Sequence, residues 1–157
     1  MLERAPIILP KKRRYYIETN YSHYVHAHHK EPLNVTRKVI EENYPKYLNA
    51  FDKVMKRRSA HMFNMFIMKN KEFKQYAEWL FNILSLAERE IDISNYSVQE
   101  ARVFGYLSEL LMDVWIEKNN KSYVECSWIQ VGPRQLLKKV FFFLIRKLKI
   151  KNSRTHF

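Results

Sequence analysis

The stretch SVQEARVFGYLSELLMDVW, residues 97–115, carries the strongest helical pattern in this sequence. Ser97 and Glu100 form a capping box, in which the serine hydroxyl and the glutamate carboxylate each accept from a free amide of the first turn. From Val103 onward, apolar residues recur every three or four positions, which is the period of an α-helix. The pattern predicts a helix with an apolar side in the core and a polar side. Four residues line that polar side: Arg102, Tyr106, Glu109 and Asp113.

The segments around this helix predict an α/β fold in which helices dominate. Residues 6–10 are typical of a short buried strand between two prolines, and strands are also expected over 61–68 and 123–130. Helices are expected over 34–42, 45–57 and 70–90, the second beginning at a proline and the third with an apolar stripe. Residues 17–32 are expected to form a loop with at most one helical turn.

Composition excludes several classes of protein. A chain of 157 residues, 46% apolar and 15% aromatic, is long enough for one domain and rich enough in apolar surface to fold. Its only glycines, Gly105 and Gly132, cannot supply a Walker-type loop or a dinucleotide fingerprint. Its only cysteine, Cys126, excludes an internal disulfide and any multi-cysteine zinc site, and fits a reducing compartment.

The positive charge of the chain is concentrated at its C-terminal end. Residues 1–133 carry 20 basic and 16 acidic residues, whereas residues 134–157 carry 8 basic residues and no acidic one, within a net charge of +12. We therefore expect a domain over 1–133 and a separate tail over 134–157. The basic residues that alternate with apolar ones in the tail include Lys138, Lys139, Arg146, Lys147 and Lys149.

This tail pattern predicts a basic amphipathic helix that lies on an anionic membrane surface. Docking of its apolar side on this domain or on a partner is the alternative, and nucleic acid is the least favoured partner because no reading motif accompanies the charge. The first twenty residues do not resemble a secretory signal, and no segment reaches the roughly 18 apolar residues of a transmembrane helix. The expected location is the cytoplasm, peripheral to the inner face of the plasma membrane.

Residues 21–29 hold four histidines among tyrosines, and His23, His26 and His28 are candidate binding residues. Imidazoles can bind phosphate oxygens or sugar hydroxyls, and aromatic faces pack on the apolar side of a sugar ring. An ordinary surface loop is the alternative. A metal site is not predicted, because no further ligand stands at a recognisable spacing.

A second group of candidates lies around residues 57–64 and on the polar side of the helix that follows the capping box. Arg57, His61 and Asn64 could contact a diphosphate or a sugar, although Arg57 could equally be a solvated cation at a helix C-terminus. Glu109 is the best general-base candidate, with Arg102 two turns away. A merely solvated helix face is the alternative for that pair.

Together these segments resemble a bacterial family of capsular and exopolysaccharide biosynthesis glycosyltransferases that is filed as a domain of unknown function. The resemblance covers about residues 6 to 125. It rests on residues 7–13, residues 21–24 with His26 and His28, residues 51–57, residues 61–68, and residues 101–106 with Ser108 and Glu109.

The resemblance implies a transferase that moves a sugar from a nucleotide-sugar donor to a glycan acceptor, with a GT-A-like fold. It also implies that this chain is the C-terminal portion, that the upstream nucleotide-binding half is absent, and that any divalent metal would belong to that half. Glu109 would be the catalytic base, supported by Arg102. Arg57, His61 and Asn64 would contact the donor, and His23, His26 and His28 the acceptor or the sugar. A non-catalytic membrane-surface or partner-binding module is the alternative function.

Overall fold

The computed structural model describes residues 1–129 and residue 131, and within them it contains five α-helices and five short strands. The helices are α1 (Asn20–Ala27), α2 (Lys30–Asn43), α3 (Pro45–Lys56), α4 (Asn70–Glu88) and α5 (Val103–Lys118). The strands are β1 (Ile7–Pro10), β2 (Arg13–Arg14), β3 (Ser59–Ala60), β4 (Ile67–Met68) and β5 (Tyr123–Cys126). The predicted mixed α/β class with dominant helices is confirmed.

The strand β1 lies at the centre of the main sheet. It pairs with β4 in the antiparallel sense, Ile7 opposite Met68, and with β5 in the parallel sense, Ile7 opposite Tyr123. All four residues of β1 are buried, as expected of a continuous apolar strand covered on both faces. A second ladder joins β2 to β3, with Arg13 opposite Ala60. The strands predicted near residues 6–10 and 123–130 are thus confirmed, the latter ending at Cys126.

The helix α5 lies at the centre of the hydrophobic core, where α2, α3 and α4 pack around it. From Leu107 to Ile116 every residue is buried except Glu109, which is half-buried. The polar side of α5 is not uniformly exposed, because the exposed fraction of Asp113 is only 2%. Neighbouring elements cover that side of the helix, and a charged residue there needs a partner within the protein.

The segment 17–32, predicted as a loop, is helical over most of its length. Thr19 caps α1 reciprocally with Ser22: the Ser22 N–H donates to Thr19 Oγ1 at 3.1 Å, and the Thr19 N–H donates to Ser22 Oγ at 2.8 Å. Pro32 lies in the first turn of α2, where its missing N–H costs no helical hydrogen bond. The loop prediction failed because serine replaces the usual glutamate of a capping box and because a first-turn proline resembles a helix breaker.

The strand predicted over residues 61–68 is also wrong. Phe63 and Asn64 adopt left-handed backbone conformations, with φ of 77° and 50°, which no strand accommodates. Only Ser59–Ala60 before this segment and Ile67–Met68 at its end join sheets. Residues 61–66 therefore form a fixed loop, called here the 61–66 loop.

The predicted amphipathic helix of residues 134–157, and with it the boundary at residue 133, lies outside the described residues. Among the helices of residues 1–129, none combines the length and apolar character needed to cross a bilayer.

Candidate functional site

Glu109 is the half-buried carboxylate of α5 and lies beside the 61–66 loop. Burial raises its pKa above the ordinary range, against the opposing influence of a hydrogen bond from the Phe63 N–H and of the positive charges of Arg13 and Arg102. A carboxylate with a raised pKa is a stronger base than a solvated one.

Contacts with α5 fix the loop that reaches Glu109. Asn64 Nδ2 donates to the Gly105 carbonyl at 3.0 Å, and Ser108 Oγ donates to Asn64 Oδ1 at 3.1 Å. Asparagine tolerates the left-handed region, whereas phenylalanine rarely adopts it, so the Phe63 conformation depends on these anchors. The result is a loop fixed against the part of α5 that carries Glu109.

A second carboxylate, Glu18, joins two of the predicted histidines. It accepts from Nδ1 of His23 and Nδ1 of His26, each at 2.8 Å, while its own side chain is only 6% exposed. Burial pushes the pKa of Glu18 upward, but the two imidazole hydrogen bonds outweigh that effect and leave the pKa below its ordinary value. Because an ionised carboxylate only accepts, both rings carry their proton on Nδ1 toward Glu18.

Tyr15 links the Glu18 cluster to Glu109. Its ring stacks on His23 with centroids 4.1 Å apart, and the Arg13 guanidinium lies 5.4 Å from its centroid. Burial raises the pKa of Tyr15, Arg13 opposes this, and the negative charges of Glu109 and Glu18 raise it further. The two carboxylates and Arg13 therefore act on one buried tyrosine and belong to one region of the molecule.

The N-terminal end of α5 adds an aromatic stack to this region. His28 stacks on Tyr106 with centroids 4.1 Å apart, and the Arg102 guanidinium lies 5.7 Å from the same Tyr106 ring. The structure thus brings His23, His26, Asn64, Arg102 and Glu109 to one side of the fold, with His28 beside them.

Arg57 faces a shallow cavity that Tyr15 also lines. The cavity has a volume of about 480 Å³ and is lined by Arg14, Tyr15, Tyr16, Arg57, Arg58 and Ser59. Glu117 pairs with Arg57 and with Lys53, so part of the Arg57 charge is neutralised within the protein. Three arginines around one depression favour an anionic ligand.

His61 is separated from these surfaces by burial. Its side chain is 2% exposed, and its ring lies between Asp113, 2.5 Å from Nδ1, and Glu125, 3.1 Å from Nε2. An imidazole enclosed in this way presents little surface to a ligand. The donor contact expected of His61 stays a prediction, and in the structure the residue joins the 61–66 loop to α5 and β5.

Three residues of the site escaped the sequence analysis as binding candidates: Arg13, Tyr15 and Glu18. The only signal was the basic, aromatic run of residues 11–16 that precedes the histidines. For a divalent cation, residues 1–129 and 131 offer no group of three His, Cys, Asp or Glu side chains that could hold one. The resemblance assigns any divalent metal to the upstream half, and the described residues do not test that expectation.

Comparison with known proteins identifies the family. The sequence profile of the family described as Domain of unknown function (DUF4422) matches residues 1–120. A solved structure titled the WbbM bifunctional glycosyltransferase, in its apo form, is similar at a TM-score of 0.74 and 31% identity, over 80% of this chain and 23% of that chain. No curated protein matches. The chain thus spans about a quarter of the solved neighbour. It is a glycosyltransferase-related domain that belongs to the DUF4422 family.

Proposed function

We propose that this chain is the acceptor-side part of a GT-A-like glycosyltransferase that moves a sugar from a nucleotide-sugar donor to a capsular or exopolysaccharide acceptor. The observation that carries the proposal is the Glu109 carboxylate, which is half-buried, has a raised pKa, and is flanked by Arg13 and Arg102. The similarity to a bifunctional glycosyltransferase supports the reaction class.

In the proposed reaction Glu109 acts as the general base. The acceptor hydroxyl transfers its proton to the Glu109 carboxylate as its oxygen forms a bond to the anomeric carbon of the donor sugar. The bond from that carbon to the diphosphate breaks, and its electron pair leaves with the diphosphate. Burial makes the carboxylate more basic, and its place on a rigid helix limits its motion.

The arginine-lined cavity is the proposed place for the leaving diphosphate. Arg14 and Arg58 are exposed on its wall, and Arg57 is half-buried there. Guanidinium groups match the geometry of phosphate oxygens with paired hydrogen bonds and stabilise the negative charge that develops on the leaving group. Arg57 keeps its predicted donor role in this arrangement.

The histidines and Arg102 are the proposed sugar-binding residues. Glu18 holds His23 and His26 in one orientation, and His26 is 47% exposed, so its ring can reach a ligand. His28 and Arg102 approach from the Tyr106 side, and Asn64 positions the loop beside the base. Imidazole and guanidinium groups are suitable donors to sugar hydroxyls.

The test combines binding with turnover in the natural full-length protein. Calorimetric titration with uridine, guanosine and thymidine diphosphate sugars should give a saturable heat for one donor. Glu109→Gln should retain that binding and lose about 10²–10⁴-fold in transfer rate, the usual contribution of a general base. Glu88→Gln, an exposed carboxylate at the end of α4, is the matched control and should leave transfer unchanged. Absence of heat with every donor, or full transfer by Glu109→Gln, would refute the proposal.

We also propose that residues 134–157 attach the protein to the inner face of the plasma membrane. The support is their sequence, in which eight basic residues are interleaved with apolar ones and no acidic residue occurs. The chain should float with vesicles that contain phosphatidylglycerol and not with phosphatidylcholine alone, and binding should weaken with salt. A chain lacking residues 134–157 that floats equally well would contradict the attachment. Flotation by a protein without transfer activity would favour the alternative, non-catalytic surface module.

A further inference from the structure

Two aromatic rings lie exposed beside the proposed base. Phe63 is 44% exposed and Trp128, in the segment after β5, is 41% exposed. Their centroids are 5.1 Å apart and their planes meet at 70°, so the rings form a corner open to solvent. Asn64, the residue after Phe63, accepts from Ser108, the residue before Glu109 on α5. The corner therefore lies near the part of α5 that carries Glu109.

The loop that carries Phe63 is anchored on both sides of this residue. Before it, the His61 N–H donates to Asp113 Oδ2 at 3.0 Å. After it, Asn64 bonds to Gly105 and Ser108 of α5. Between these anchors Phe63 is held in a left-handed conformation that exposes its ring instead of burying it. A strained backbone fixed around an exposed aromatic ring indicates a binding function, because packing alone would favour the buried arrangement.

We propose that Phe63 and Trp128 form a stacking platform for the acceptor's terminal pyranose ring, which presents one hydroxyl to Glu109. The apolar C–H face of a pyranose packs against an aromatic face, and its edge hydroxyls bond to carboxylates and guanidinium groups. The platform is two rings wide, which suits a single sugar ring better than a protein surface. This inference rests on the proposed function and adds the acceptor subsite to it.

Trp128 provides its own spectroscopic signal for the test. Of the three tryptophans, Trp79 and Trp115 are buried, at 6% and 2% exposure, so a ligand on the platform reaches only the Trp128 indole. The isotope-labelled full chain is titrated with methyl pyranosides of glucose, galactose, mannose and N-acetylglucosamine, alone and with uridine diphosphate. The indole N–H signal of Trp128 is assigned with Trp128→Phe.

We expect at least one of these pyranosides to shift the Trp128 signal in a saturable way while the signals of Trp79 and Trp115 stay in place. Phe63→Ala should weaken the apparent affinity roughly fivefold, as expected for the loss of one aromatic contact. Phe63→Tyr should retain the affinity. Phe81→Ala removes a phenylalanine of α4 that is 63% exposed and should change nothing. Unchanged buried tryptophan signals show that each variant is folded.

Two results would overturn the platform: no pyranoside moves the Trp128 signal, or Phe63→Ala binds as tightly as the parent chain. Failure of the platform is distinguishable from failure of the proposed function. If a nucleotide sugar binds and Glu109→Gln loses transfer while the Trp128 signal never moves, the platform is wrong and the transferase assignment stands. If pyranosides bind in a Phe63-dependent way and no nucleotide sugar does, the platform stands and the transferase assignment is wrong.

Discussion

Removal of the Asp113 carboxylate tests how the 61–66 loop is held to the core. Asp113 is 2% exposed and accepts two hydrogen bonds from His61, from the backbone N–H at 3.0 Å and from ring Nδ1 at 2.5 Å. In Asp113→Ala both donors lose their acceptor. Each buried donor left unpaired costs about 1–3 kcal/mol. For two donors we expect a loss of about 2–6 kcal/mol, from a total stability on the order of 5–15 kcal/mol.

The assay is urea unfolding followed by fluorescence of the buried tryptophans, Trp79 and Trp115. The matched control is Asp52→Ala. Its carboxylate also holds two hydrogen bonds, from Arg37 at 2.9 and 3.0 Å, but the two side chains are 37% and 40% exposed. Solvent screens such a pair, and its removal should cost about 0–1 kcal/mol.

Asp113→Asn separates the two contributions at this position. The amide oxygen can still accept one of the two His61 hydrogen bonds, so the cost should fall to about 1–3 kcal/mol. The reasoning is refuted if Asp113→Ala and Asp52→Ala lower the free energy of unfolding by the same amount, or if Asp113→Asn is the more damaging variant at Asp113.

Three further predictions concern the site. Burial raises the pKa of Glu109, so the ionised carboxylate lowers the free energy of unfolding as pH rises through that pKa. Glu109→Gln should therefore raise Tm at pH 7 more than at pH 4. A lower Tm of Glu109→Gln at pH 7 would contradict this. Burial alone would raise the pKa of Glu18, but the two imidazole hydrogen bonds outweigh burial and leave the pKa below 4.5, so the ionised carboxylate stabilises the fold above pH 4.5 and this stabilisation is lost as pH falls through the lowered pKa. The Tm difference between the parent chain and Glu18→Gln should therefore shrink as pH falls. A constant Tm difference would count against this reasoning. Asn64→Ala should be less stable than Asn64→Gly by about 1 kcal/mol in urea unfolding, because glycine adopts the left-handed φ of 50° at residue 64 without the steric cost that alanine has. Equal stabilities of the two variants would exclude backbone strain at this position.

Local patterns predicted the elements that local forces determine. The proline-led helix α3 and the apolar stripe of α4 both stand where the sequence places them, because capping, periodicity and proline geometry act within a few residues. The strand β1 was also predictable, since a short apolar run between prolines leaves few alternatives.

Long-range contacts determined what local patterns could not. The 61–66 loop has the apolar content of a strand, yet its conformation is set by Asp113, which is 52 residues from His61, and by Gly105, which is 41 residues from Asn64. The histidines of α1 were identified as candidates, but nothing in the sequence indicates that Glu18 orients two of them. Such partners become visible only when the helix is folded against the body of the protein.

The sequence identified the residues on the polar side of α5, but it did not show which elements cover that side. Glu109 and Asp113 are one helical turn apart, and Asp113 accepts from His61 of the 61–66 loop, while Ser108, next to Glu109, donates to Asn64 of the same loop. The buried carboxylate satisfies the loop backbone and stabilises the fold, whereas the half-buried one keeps contact with solvent and a raised pKa. One helix face therefore both fixes the loop and presents the base. It follows that weakening the Asp113 anchor should release Phe63 and reduce sugar binding at the platform, even though Asp113 itself touches no ligand.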